Sequence, residues 1–170
     1  KFLIKKTNGY QVSTGEMLRD EMEKNSDIGK LITHDMNNGK FVSDEIVNKL
    51  IKTYIFDSQK KNRLIFDGYP RSLSQAKNLD ILLKESNQNI DHIFFLNVNK
   101  NTIIERIKKR KTEENRSDDE LETIIKRYDT YMETTRPVLD FYSKNLNFHE
   151  IDGSQKIDEI TSKIEVFINA

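Results

Sequence analysis

Cysteine is absent from the 170-residue sequence, which excludes disulfides, thiol nucleophiles and thiolate zinc sites. Net charge is absent as well, since Lys plus Arg and Asp plus Glu both total 28. A chain without a global field has nothing to draw in nucleic acid or an anionic membrane, so any anion site must be local. The three histidines, His34, His92 and His149, lie far apart in the chain and lack ligand spacing, so structural or exposed roles are expected of them. The longest apolar runs are strand-sized, well short of the roughly 20 residues of a membrane span, and no signal-peptide pattern opens the chain. No low-complexity linker or internal repeat divides it. The expectation is one soluble cytoplasmic domain, long enough for a sizeable core.

What is present reads as an alternation. Four short strand-like runs stand out: "YQV" at 10–12, "LIF" at 64–66, "IFFLNV" at 93–98 and "FHEI" at 148–151. Helical patterns separate them. Residues 43–56 carry Ile46, Val47, Leu50, Ile51, Tyr54 and Ile55 at helical spacing behind Ser43 as N-cap. A second pattern over 118–134 places Leu121, Ile124, Ile125, Tyr128 and Met132 on one stripe, behind a capping box of Ser117 and Glu120. Pro137 is expected to start the next helix, and a last one is expected near 155–168. "KFLIKKTNGY" starts as if already inside a helix, with Gly9 as its stop signal. Strands alternating with helices predict an α/β fold with a parallel sheet.

Two motifs sit where such a sheet would bind ligand. In "NRLIFDGYPRS", residues 62–72, a buried strand runs straight into Asp67, Gly68, Tyr69, Pro70 and Arg71. Ligands of open parallel sheets bind at the carboxyl ends of the strands, so an acid and an arginine fixed there suggest an anionic or metal-bearing substrate. A strand-ending turn with a solvated Arg71 fits those residues equally well. In "STGEMLRDE", residues 13–21, Ser13 and Glu16 have capping-box spacing, which alone favours a plain helix start. Thr14 nevertheless offers a hydroxyl at a strand end, and Arg19 lies about one turn further on. Arg106 and Arg110 share a helix face and could clamp one polyanion, or could belong to a solvated basic face with Lys108, Lys109 and Lys111. Together, six arginines (Arg19, Arg71, Arg106, Arg110, Arg116 and Arg127) fall near predicted strand ends or helix termini. Arginine suits bidentate phosphate contacts, so this pattern fits phosphate recognition better than solubility.

"STGEMLR", "NNGKFVSDEIV", "FDGYPRSLSQA", "RIKKRKTEENRSDDELETIIKRYDTY" and "EIDGS", in that order, resemble the adenylate kinases of the nucleoside monophosphate kinase family across essentially the whole chain. The resemblance implies a P-loop NTPase-like parallel sheet flanked by helices on both faces, a helical NMP-binding insertion about 14–43 and a short lid about 110–117. It implies reversible transfer of the γ-phosphoryl group of magnesium ATP to AMP, giving two ADP. Thr14, Arg19, Lys40, Phe41, Val42, Gly68, Arg71 and Gln75 would form the AMP pocket, joined by Arg116 and Arg127. Gln75 would read the adenine edge while Arg19 and Arg71 hold the α-phosphate. Arg71, Arg106, Arg110, Arg116 and Arg127 would surround the transferring group. Arg110 would also border the ATP base, with Gln155 near that adenine through its backbone. Asp67 would order the waters of magnesium. ATP, AMP and ADP are the implied partners of a monomer, without zinc, nucleic acid or membrane. UMP or CMP as acceptor, or a non-catalytic nucleotide-binding module, are the alternatives.

The sequence departs from that pattern in three places. The glycine-rich loop G-x-x-x-x-G-K-[ST] does not occur in it. "KFLIKK" resembles the helix that follows the loop, so the native protein is expected to carry the loop and its strand upstream. Glu16 stands where the family usually has Asp, which bears on the magnesium-water network. "KTEENR" alone leads from Arg110 to Arg116, where long-lid relatives insert a small domain.

Overall fold

The computed structural model describes residues 2–38, 40–57, 59–60, 64–114, 121–145 and 147–169. The chain runs α1 (Phe2–Thr7), β1 (Tyr10–Ser13), α2 (Thr14–Glu23), α3 (Asp27–Asn37), α4 (Asp44–Ile55), β2 (Leu64–Asp67), α5 (Leu73–Glu85), β3 (Ile93–Asn97) and α6 (Lys100–Glu114). There follow α7 (Leu121–Thr130), a π-helical turn (Tyr131–Thr135), α8 (Arg136–Tyr142), β4 (Phe148–Asp152) and α9 (Ile157–Ile168). Each apolar run expected to be a strand is one. The capping box of Ser117 and Glu120 and the expected lid lie outside the described residues, apart from the end of α6.

The strands pair in parallel, as the alternation requires, and fall among the described residues into two pairs, β1–β2 and β3–β4. Registers are Tyr10↔Leu64 to Ser13↔Asp67 and Ile93↔Phe148 to Asn97↔Asp152. All of Leu64–Asp67 and Ile93–Asn97 line one large cleft. Successive strand residues point to opposite faces, so a whole run can border a cavity only along the strand's edge. The cleft therefore runs between β2 and β3.

Hydrophobic burial holds the helices to the strands. Val47, Ile51 and Ile55, at four-residue intervals on α4, are buried with Val12 of β1, Ile32 of α3 and Leu79, Leu82 and Leu83 of α5. α5 also turns Ala76 toward a second cluster with Val138 and Tyr142 of α8, so it joins the two halves of the molecule. The α2–α3 hairpin is tight at Gly29, where a β-carbon would stand 2.1 Å from the Glu21 carbonyl oxygen.

One expectation changes. α1 stops at Asn8, which takes the left-handed conformation at φ 50°, before Gly9, whose N–H then returns to the Ile4 carbonyl at 3.1 Å. His92 and His149, 57 residues apart, meet: Nδ1 of one lies 3.3 Å from Nε2 of the other. The β3–β4 pairing brings them together; both stack with Phe94, and His149 also stacks with Phe167 of α9.

Two predictions follow from this packing. Gly29→Ala must push α2 and α3 apart and should lower stability by about 1–3 kcal/mol in urea denaturation. Burial and then the His92 charge depress the His149 pKa below its ordinary 6.5, so the fold favours the neutral ring. That stabilisation is complete above the ordinary value and is lost as pH falls through the depressed one. The urea midpoint should drop between about pH 7 and 5, and the drop should be shallower in His149→Phe.

Candidate active site

Because β1 and β2 end level at Ser13 and Asp67, the start of α2 and the 67–71 loop emerge side by side. Ser13 caps α2 as the spacing predicted, its Oγ accepting the Glu16 N–H at 3.4 Å. Thr14 is buried and donates its hydroxyl to the Gly68 carbonyl at 3.0 Å, which fastens one loop to the other. Gly68 has φ 68°, and a β-carbon there would meet Nη2 of Arg71 at 2.7 Å. The backbone conformation favours glycine, and a side chain there would displace the Arg71 guanidinium.

Arg71 is held along its whole length. Its N–H donates to Oε1 of Gln75 at 2.7 Å, and its carbonyl accepts the Thr135 hydroxyl from the π-helical turn at 2.9 Å. Its Nε donates to the Gly68 carbonyl at 2.7 Å, and its guanidinium lies 5.2 Å from the centre of the Phe41 ring. The solvated-turn reading of Arg71 is therefore the wrong one. Burial, then the neighbouring charges of Arg127 and Arg19, pull the Arg71 pKa down, while Asp67 opposes them. Those four residues come from three separate segments, which is the convergence that phosphate recognition needs.

All four line one cleft. Thr14, Arg19, Lys40, Phe41, Val42 and Gln75 line it, as do Gly68 and Arg71. Arg110 and Arg127 line it from α6 and α7. Arg106 points elsewhere: it is exposed, is not among the lining residues, and donates to the Gln155 carbonyl at 3.5 Å. The suggested clamp of Arg106 with Arg110 is thus divided in this conformation, though Arg106 and Gln155 meet. Oε1 of Gln155 is buried without a hydrogen-bond partner among the described residues. Arg116 lies outside those residues. Asp67 is exposed at the rim, its Oδ2 accepting from Nε2 of Gln11 at 3.0 Å.

Four contributors escaped the sequence reading. Arg136 adds a cation to the cleft, and Thr135 positions Arg71. Asp44 accepts from Nε2 of Gln75 and from the Ser72 hydroxyl, each at 2.7 Å. Ser72 caps α5, accepting the Gln75 N–H at 3.1 Å, and the spacing Ser72-x-x-Gln75 was a signal available for it. For Asp44 none existed, since an acid in a helix's first turn explains itself.

Comparison with known proteins agrees with this geometry. Residues 1–147 match the family model described as adenylate kinase. An adenylate kinase of Pelagibacter ubique is 47% identical, the match covering 95% of this chain and 88% of that protein. One from Azobacteroides pseudotrichonymphae is 37% identical over 96% of this chain and 86% of its own length, and one from Mycoplasma capricolum 35% identical over 96% and 91%. With a single family matched over most of the chain and parallel strands flanked by helices around an arginine-lined cleft, the chain belongs to the adenylate kinase family of nucleoside monophosphate kinases.

Proposed function

We propose that the protein transfers the γ-phosphoryl group of ATP reversibly to AMP, giving two ADP. The observation that carries this reading is the meeting of Arg19, Arg71 and Arg127 with Asp67 in one cleft of a chain without net charge. In the forward step an oxygen of the AMP phosphate forms a bond to the γ-phosphorus, and the bond to the oxygen of departing ADP breaks. The protein's part is to position both nucleotides and to neutralise charge spread over the transferring oxygens. Arg19 and Arg71 take the α-phosphate of AMP, while Thr14, Lys40, Phe41, Val42, Gly68 and Gln75 enclose the nucleoside. Arg110 and Arg127 face the transferring group from the opposite side, with Arg106 and Gln155 toward the ATP base and Arg116 joining the phosphate contacts. The unpartnered Oε1 of Gln155 supports a polar group being received there. Closing the cleft excludes water, which keeps ATP from hydrolysis.

Magnesium suits the donor set. It keeps most of its water shell and takes few protein oxygens beside phosphate, and Asp67 offers a hard carboxylate at the rim. Asp67 would hold the ion through water, and the ion when bound would neutralise phosphate oxygens. The reading takes ATP, AMP and ADP as the partners of a cytoplasmic monomer without structural zinc, and involves neither nucleic acid nor membrane. Among the described residues no helix is long and apolar enough to cross a membrane.

In a coupled assay on the full-length protein, AMP should turn over faster than UMP or CMP; a faster pyrimidine nucleotide would refute the adenine assignment. Arg71→Ala removes up to two charge-assisted hydrogen bonds of about 1.5–3 kcal/mol each, so kcat/KM for AMP should fall about 10²–10⁴-fold. Thermal unfolding should change little, since Arg71 belongs to neither hydrophobic cluster.

A further inference from the structure

We infer that Asp44, together with the Arg71 backbone N–H, fixes the donor–acceptor polarity of the Gln75 amide and thereby sets which 6-substituted purine the nucleotide pocket prefers. The inference rests on the reading above, in which Gln75 meets the base. Gln75 is 3% exposed, and each end of its amide is already engaged. Oε1 accepts the Arg71 N–H at 2.7 Å, and Nε2 donates to Oδ1 of Asp44 at 2.7 Å. A backbone N–H can only donate and an ionised carboxylate can only accept. An amide turned by half a revolution would set donor against donor and oxygen against oxygen in a buried place, so one orientation alone is permitted. Asp44 itself is fixed by the Ser72 hydroxyl on Oδ2 at 2.7 Å.

What remains on the amide is one lone pair on Oε1 and one N–H on Nε2, in a set order. Adenine presents a donor at N6 beside an acceptor ring nitrogen, and a glutamine amide pairs with that edge bidentately. A 6-oxo purine presents an acceptor at C6 beside a donor at N1, which asks for the reversed amide. An unconstrained glutamine would turn over and serve both bases. With the phosphate held by Arg19 and Arg71, the base cannot turn over in its place. Discrimination between a 6-amino and a 6-oxo purine then comes from a residue that need not touch the nucleotide, and Asp44 is a positioning residue.

The position is testable because α4 has other anchors. Val47 and Ile51 are buried in the core. Tyr69, whose hydroxyl pKa burial pushes up to about 12, keeps its proton and donates to Oδ1 of Asn48 at 2.8 Å. Asp44→Asn keeps the size but offers both a donor and an acceptor, so it removes one of the two penalties on a turned amide and leaves only the Arg71 N–H to oppose it.

The experiment compares kcat and KM for AMP and for inosine 5′-monophosphate in the full-length parent, Asp44→Asn, Asp44→Glu and Gln75→Ala. Asp44→Asn should narrow the AMP preference in kcat/KM about tenfold, chiefly through a lower KM for inosine 5′-monophosphate. Its kcat at saturating AMP should stay within about threefold of the parent. Asp44→Glu, still acceptor-only, should retain most of the preference. Should Asp44→Asn fail to fold, Asp44→Ser makes the same comparison. A preference unchanged in Asp44→Asn but lost in Gln75→Ala overturns the role of Asp44 alone, as does an equal loss for both nucleotides. A preference untouched by Gln75→Ala removes base reading by Gln75, and this inference with it.

Discussion

Guanidinium groups repel one another, and the structure depends on holding several of them together against that repulsion. Arg71 stands near Arg19 and Arg127 in a partly dry cleft, with Asp67 as the opposing charge. Burial strengthens electrostatic repulsion because less water is present to screen it. Left to rotate, the side chains would splay into solvent. The backbone bonds at both ends of Arg71, the Nε contact to Gly68 and the Phe41 ring prevent it. A polyanion entering such a site meets charges already in place and need not reorganise them, and this is how electrostatic stabilisation acts in phosphoryl transfer.

The rest of the fold supplies the fixed points. Parallel pairing of β1 with β2 brings two strand ends level, so that Thr14 can fasten the loop carrying Asp67 and Gly68. α5 contributes Gln75 from its first turn while burying Leu79, Leu82 and Leu83 further along, so the same helix packs the core and orients the site. α4 does likewise, with Asp44 in its first turn and Val47, Ile51 and Ile55 behind.

Sequence alone made the strands legible because each is a compact apolar run, and it made the Asp67–Arg71 rim legible because a parallel sheet has only one end at which ligands bind. The family resemblance selected the pocket residues, and most of those described line one cleft. What the sequence left unread has a common physical cause. That His92 and His149 meet is decided by strand pairing and not by chain separation. Asn8 rather than Gly9 ends α1 because asparagine, too, tolerates the left-handed region. Asp44 and Thr135 act on residues far along the chain, 44 on 75 and 135 on 71, and local patterns carry no record of such partners. Arg106 shares a helix face with Arg110, but one helix face spans about 6 Å between these residues, enough for one to meet the cleft and the other to miss it.

The π-helical turn at Tyr131–Thr135 couples the two sides of the cleft. Such a turn holds an added residue relative to an α-helix and rotates everything beyond it, and here the rotation delivers the Thr135 hydroxyl to the carbonyl of Arg71. Arg127 lies about one α-helical turn before Tyr131 on the continuous segment. Arg127 and the backbone of Arg71 are thus mounted on a common lever: a shift of α7 pulls on the loop that carries Arg71.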